Sequence, residues 1–113
     1  MNLPQARLTG FLGEGAVHRG ELQFDGWARI DGHLIGVLRA SELAEIGRSG
    51  VIEGEVLAPQ VLVGGVVRGK IVASERCTLL ETAVVSGELE APWLDVRNGA
   101  QLEAKLTVRR EST

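Results

Sequence analysis

Apolar residues in this chain come in short alternating stretches, separated by breaks of small and polar residues. One context recurs, an apolar residue two positions either side of a glycine: Leu34-Ile35-Gly36-Val37-Leu38, Ile52-Glu53-Gly54-Glu55-Val56, Val67-Arg68-Gly69-Lys70-Ile71 and Val85-Ser86-Gly87-Glu88-Leu89. His18-Arg19-Gly20-Glu21-Leu22 precedes these with histidine in the first place, and Leu102-Glu103-Ala104-Lys105-Leu106 ends the set with alanine at its centre. The centres 20, 36, 54, 69, 87 and 104 are 16, 18, 15, 18 and 17 residues apart. Four residues past the centre stands Ala40, Ala58, Ala73 or Ala91, replaced by Phe24 and Val108 in the end copies. A shorter apolar-x-apolar element precedes each unit: Ala28/Ile30, Ala44/Ile46, Val61/Val63, Cys77/Leu79 and Leu94/Val96, with Gly10/Leu12 as a degenerate first copy. Alternation with period two predicts strands that bury one face. The breaks predict turns, short at Gly32 and Gly64-Gly65 and two residues longer around Gly50, Ala83 and Gly99.

A unit of about 17 residues cannot bury a face alone, so repeated units stack. Stacked in parallel, each strand pairs with its equivalent in the next unit, and like residues form columns. The expectation is an all-β, right-handed parallel β-helix of about six rungs of 16–18 residues. It would span residues 8–108, with short tails at 1–7 and 109–113. The right hand follows the usual crossover rule, and the spacings do not divide into the hexads of a left-handed coil. The glycine and alanine columns are expected to face inward, where small residues let the walls approach. The column after the glycine (Glu21, Val37, Glu55, Lys70, Glu88, Lys105) is expected outside, its charges alternating from Glu55 onward.

Composition narrows the function. Fifteen glycines in 113 residues, with three prolines and a hydrophobic fraction of 44%, fit neither collagen nor a flexible linker. A net charge of −3 gives no electrostatic case for binding nucleic acid. A single cysteine cannot form an internal disulfide, which fits a reducing compartment. The apolar runs fall far short of the ~20 residues that span a bilayer, and residues 1–7 lack the apolar core of a signal peptide. A cytoplasmic protein is expected.

No catalytic, metal or cofactor site stands out. Two histidines, His18 and His33, are too few for the three ligands of a β-coil hydratase. Cys77 lies at an inward position with no identifiable base. Asp25-Gly26 and Asp31-Gly32 are turn chemistry, and Gly64-Gly65 lacks the lysine and helix of a phosphate loop. The ends of the coil are more informative, because each exposes unpaired backbone groups and an open core. Phe11, Leu12, Leu22 and Phe24 at one end, and Leu94, Val96, Leu102, Leu106 and Val108 at the other, are the candidate polymer contacts. Phe24 and Val108, in the alanine column, would either plug the core or make that contact. Trp27 and Trp93 share an outward column and, with Leu57, Leu62 and Val72, are the candidate lateral or partner surface.

The repeated blocks, with Ile30-Asp31-Gly32-His33-Leu34-Ile35-Gly36 opening the regular part and Ile46-Gly47-Arg48-Ser49-Gly50-Val51-Ile52-Glu53-Gly54-Glu55-Val56-Leu57-Ala58 following, resemble a bactofilin domain over roughly residues 8–108. The resemblance implies a bacterial cytoskeletal protein with a β-helix core, not an enzyme. It implies end-to-end polymerisation without nucleotide, into filaments that lack polarity, by this chain alone or with paralogues. It also implies a scaffold for cell-shape, wall-synthesis or chromosome-positioning proteins at the inner face of the cytoplasmic membrane. Residues 1–7 carry no obvious membrane-binding pattern. The competing readings are a β-helix adaptor that does not polymerise and a β-helix enzyme of transferase or hydratase type.

Overall fold

The computed structural model describes residues 8–108. They form ten strands: β1 (Leu8–Leu12), β2 (Val17–Phe24), β3 (Trp27–Ile30), β4 (His33–Ala40), β5 (Leu43–Ile46), β6 (Val51–Val63), β7 (Val66–Leu79), β8 (Val84–Ala91), β9 (Leu94–Val96) and β10 (Gln101–Val108). Among the described residues there is no helix. All the strand pairs are parallel. One ladder runs β1, β3, β5, the second half of β6, the second half of β7, then β9; the other runs β2, β4, the first halves of β6 and β7, β8, then β10. The chain is a parallel β-solenoid of six turns, with the sequence repeat as its rung.

Register follows the repeat. Gly20 pairs with Gly36, Gly36 with Gly54, Gly54 with Gly69, Gly69 with Gly87, and Gly87 with Ala104. Inward columns stack apolar side chains of similar size: Leu34, Ile52, Val67 and Val85; Leu38, Val56, Ile71 and Leu89; Ile30, Ile46, Val63 and Leu79. Each of these is at most 1% exposed, and burying one such side chain stabilises by about 1.5–3 kcal/mol. The alanine column is also inside, at 7% exposure or less. The described core contains no buried polar side chain.

The glycine column is not inside. Gly20, Gly69 and Gly87 are exposed and Gly36 and Gly54 half-buried, and all five have positive φ, between 120° and 145°. Alternation cannot run through a corner. Leu34 and Leu38 both reach the core from either side of Gly36, and the chain bends between them. A Cβ on Gly54 would fall on the carbonyl oxygen of Gly36 in the preceding rung, and the same collision recurs at Gly36, Gly69 and Gly87. Glycine is required at this corner because the backbone turns left-handed and the rungs touch there. The last rung departs from the rule: no non-glycine residue among those described has positive φ, so Ala104 passes its corner without that bend.

The second corner uses two turn lengths. Residues 13–16, 47–50, 80–83 and 97–100 each close with a hydrogen bond from the fourth N–H to the first carbonyl, at 2.9–3.1 Å. Asp31-Gly32 and Gly64-Gly65 make the same passage in two residues. Stacking continues across the change: Val51 N donates to Gly32 O, and Val84 N to Gly65 O, both at 2.9 Å. At the third corner β6 runs on through Pro59, where Ala58 pairs with Ala73 but Gln60 pairs with Arg76. One proline without an N–H thus opposes Ser74 and Glu75, a bulge that absorbs the extra residue.

Candidate functional site: the two ends of the coil

The end surfaces are the outer edges of two terminal rungs. At the first, β1 pairs with β3 and β2 with β4. Leu12, Leu22 and Phe24 are half-buried and pack against the core. The Phe24 ring lies over Gly10, so close that a Cβ on Gly10 would fall within it. Phe24 therefore fills the first rung, made possible by the lack of a side chain at buried Gly10. Phe11 does not belong to this inner set. It is in register with outward Arg29 and is 57% exposed.

The other end is more open. β10 pairs with β8 over eight consecutive residues, Gln101 to Val108, and β9 pairs with β7. Leu94 and Leu102 still pack against the core. Val96, Leu106 and Val108 are 44%, 43% and 51% exposed. Leu106 is in register with Leu89, which is 1% exposed. The same column position is thus buried in one rung and bare in the next, because no described strand covers the outer edge of β10. The chain lying beyond Val108 and before Leu8, the expected tails among it, falls outside the described residues.

The five residues expected to form a lateral surface are not contiguous. Leu57 and Val72 are neighbours in the β6–β7 ladder, while Leu62 pairs with Thr78 on another face. Trp27 and Trp93 do share a column. Trp27 pairs with Leu43, Leu43 with Gln60 and Gln60 with Arg76, and the Cys77–Leu94 pair sets Trp93 beside Arg76. Trp27 Nε1 donates to Glu45 Oε1 at 3.1 Å, and the Arg76 guanidinium lies 5.8 Å from the Trp93 ring centre. Trp93 is 58% exposed. The Arg76 contact was not singled out from sequence, although the shared column position was there to be read.

Charged residues stack outside in the expected register, Glu55 on Lys70, Lys70 on Glu88, and Glu88 on Lys105. Ion pairs include Arg39–Glu21 at 2.7 Å, Arg68–Glu53 at 3.4 Å, and Arg29 with Asp31 at 3.0 Å and Glu45 at 3.7 Å. The hydrogen bond and charge of Asp31, with Glu45 behind, raise the Arg29 pKa. The exposed pairs Arg39–Glu21 and Arg68–Glu53 are each worth about 0–1 kcal/mol and favour correct register over slipped ones. His33 opens β4 rather than lying in the turn before it, and its Nε2 is 3.2 Å from Glu53 Oε2. His18 lies in β2, in register with Leu34. Cys77 is fully buried, and burial pushes its thiol pKa up to about 12, which keeps the thiolate needed for nucleophilic chemistry out of reach near neutral pH. Among the described residues no three His, Cys, Asp or Glu side chains are grouped to hold a metal.

A stack of parallel strands with an apolar end rung, its terminal edges uncovered among the described residues, defines a parallel β-solenoid whose candidate surfaces are its ends. Comparison with known proteins then gives the family. Residues 10–107 match the model of the bactofilins, described as polymer-forming cytoskeletal, and the chain belongs to that family. It is 30% identical over 95 residues to bactofilin BacO of Myxococcus xanthus (strain DK1622), covering 84% of this chain and 75% of that protein. Among solved structures, it is similar to the bactofilin of Thermus thermophilus in double helical filaments, seen by cryo-electron microscopy: 33% identity, TM-score 0.83, 88% of this chain and 98% of that one. A mutant crystal structure of the Thermus thermophilus bactofilin matches with 34% identity and a TM-score of 0.74, over 79% of this chain and 99% of the other. The family is structural and cytoskeletal. No helix among the described residues is long and apolar enough to cross a membrane.

Proposed function

We propose that this bactofilin builds a cytoskeletal filament by end-to-end contact of its terminal rungs, like end to like end, without nucleotide. The observation that carries this is the last rung, where Leu106 and Val108 are bare although their column neighbours Leu89 and Ala91 are fully buried. Adding a rung to that edge satisfies the strand's free N–H and C=O groups and covers the open core together. Backbone pairing and apolar burial supply the contact, so no energy source is required. The filament would scaffold cell-shape, wall-synthesis or chromosome-positioning proteins in the cytoplasm at the inner face of the membrane, and paralogues of the same rung geometry could join it. The half-buried Leu12, Leu22 and Phe24 would serve the opposite junction, and exposed Trp93 beside Arg76 would offer a side contact.

Negative-stain microscopy and sedimentation of purified, nucleotide-free protein test the reading. Native protein is expected to form filaments. Leu106→Arg sets a charge on the end face and is expected to abolish sedimentable filaments while leaving the β-type circular dichroism intact. Filaments that persist in that variant would exclude the end rung as the contact.

A further inference from the structure

The four-residue turns of the second corner differ in their central pairs. These are Glu14-Gly15, Arg48-Ser49, Glu81-Thr82 and, in the last rung, Asn98-Gly99. Only the last sets a side-chain amide directly before a glycine. Asn98 and Gly99 are both exposed, and φ of Gly99 is 101°. Ala100 N donates to Arg97 O at 3.1 Å to close the turn. Neither the Asn98 side chain nor the Gly99 N–H makes a hydrogen bond among the described residues. No further rung covers this turn from outside among the described residues.

We propose that Asn98 is a site of spontaneous deamidation in the folded protein, and that its product loosens the last rung. The Gly99 nitrogen gives its proton to hydroxide and attacks Cγ of Asn98. The bond from Cγ to the side-chain nitrogen breaks. That nitrogen takes a proton from water and leaves as ammonia, and a succinimide ring closes. Water then opens the ring. Breaking the bond from Cγ to the Gly99 nitrogen gives aspartate. Breaking the bond from the backbone carbonyl carbon of residue 98 to that nitrogen gives isoaspartate, with the chain now running through Cγ. In sum an amide and water become a carboxylic acid and ammonia, with nothing oxidised or reduced. Glycine at 99 matters because no Cβ shields the attacking nitrogen. The unbonded N–H matters because no partner has to be given up.

Position decides the consequence. Asn98 and Glu81 hold the same place in two stacked turns of equal length. Gly99 lies against Glu81, where a Cβ would come within 2.9 Å of the Glu81 carbonyl oxygen and 3.3 Å of its Cβ. A carboxylate at 98 therefore sets like charges one rung apart, about 4.8 Å, where they repel. Glu81 has no ion pair among the described residues to offset this. Isoaspartate lengthens the backbone by one atom, so the turn no longer matches the one beneath it. That mismatch falls between two stacking bonds, Arg97 N to Leu79 O and Gln101 N to Ala83 O, both at 2.9 Å. An interior turn is held from both sides; this one is held from one side among the described residues. The chain's other asparagine, Asn2, precedes Leu3, whose side chain shields the nitrogen, and lies outside the described residues. The proposal rests on the chemistry of the turn and stands whichever surface makes the polymer contact.

Ageing the native chain and Asn98→Gln at mildly alkaline pH, each both folded and in urea, tests the site. Glutamine keeps the side-chain amide but must close a larger ring, which forms far more slowly. The folded native chain is expected to gain a species one negative charge more acidic on isoelectric focusing, at a rate that rises with hydroxide. Peptide mapping should place the change at residue 98, with the isoaspartate form accepting a methyl group from an isoaspartyl methyltransferase. Folded Asn98→Gln, with native circular dichroism, should gain no such species. Amide exchange reads the consequence. The aged native chain and fresh Asn98→Asp should both exchange faster than the fresh native chain over residues 97–108, and the Asn98→Asp difference should shrink at high salt. An acidic species that forms in urea but not in the folded chain means that the turn holds Asn98 where the ring cannot close, and overturns the site. So does a species that forms equally in folded Asn98→Gln. Unchanged exchange over residues 97–108 in both the aged chain and Asn98→Asp overturns the loosening of the rung.

Discussion

At the residue scale the decisive positions are the corner glycines. Gly54 combines φ of 143° with a carbonyl oxygen of the rung below where its Cβ would go. Holding an L-residue at positive φ costs about 1–2 kcal/mol, and the collision with backbone cannot be relieved by a rotamer change. Gly54→Ala is therefore expected to lose at least ~2 kcal/mol, read as a lowered urea midpoint, with the neighbouring rungs forced apart. The requirement for small residues was plain in the repeated sequence; its cause was not. Alternation alone sends position 54 inward, between Ile52 and Val56, and only the bend at the corner turns it out. Phe24 shows the same division. Its place in the alanine column was legible, but its packing over Gly10 depends on two strands that are distant in sequence meeting across the rung.

At the scale of the strand, the stack is graded from centre to edge. β6 and β7 are long, paired on both sides and lined by fully buried side chains, whereas β2 and β10 are each paired on one side among the described residues. Opening an edge strand exposes little core, and opening a central one exposes two interfaces. Amide exchange in dilute, unassembled protein should thus be slowest in the shared ladder of β6 and β7 and fastest in β10. On assembly, protection should rise first in β10; a rise confined to the central strands would contradict end contact. The alternating stretches were readable from the repeat, since each buried position recurs in the same phase, although β6 and β7 each run on through two of its elements. The bulge at Pro59 was not, because it depends on Ser74 and Glu75 lying opposite in the next rung.

At the scale of the whole molecule, stability and assembly are linked. The end junctions exist only between folded rungs, so anything that drives assembly withdraws folded chain from the unfolding equilibrium. The melting temperature should rise with protein concentration in the native chain and rise less steeply in Leu106→Arg, where only the opposite junction remains; equal dependence in both would separate assembly from this end. Sequence by itself determined the parallel coil, its six rungs and the identity of its apolar and alanine core columns, because a solenoid rung contacts only its neighbours and writes the same pattern in every copy. It also determined which residues lie at the two ends. Tertiary structure alone decided which way the corner glycines face, how Phe24 fills the first rung, why Leu62 stands apart from Leu57 and Val72, and which terminal rung is the more open among the described residues. These depend on bends between faces and on what lies across the rung, relations that a repeat along the chain does not encode.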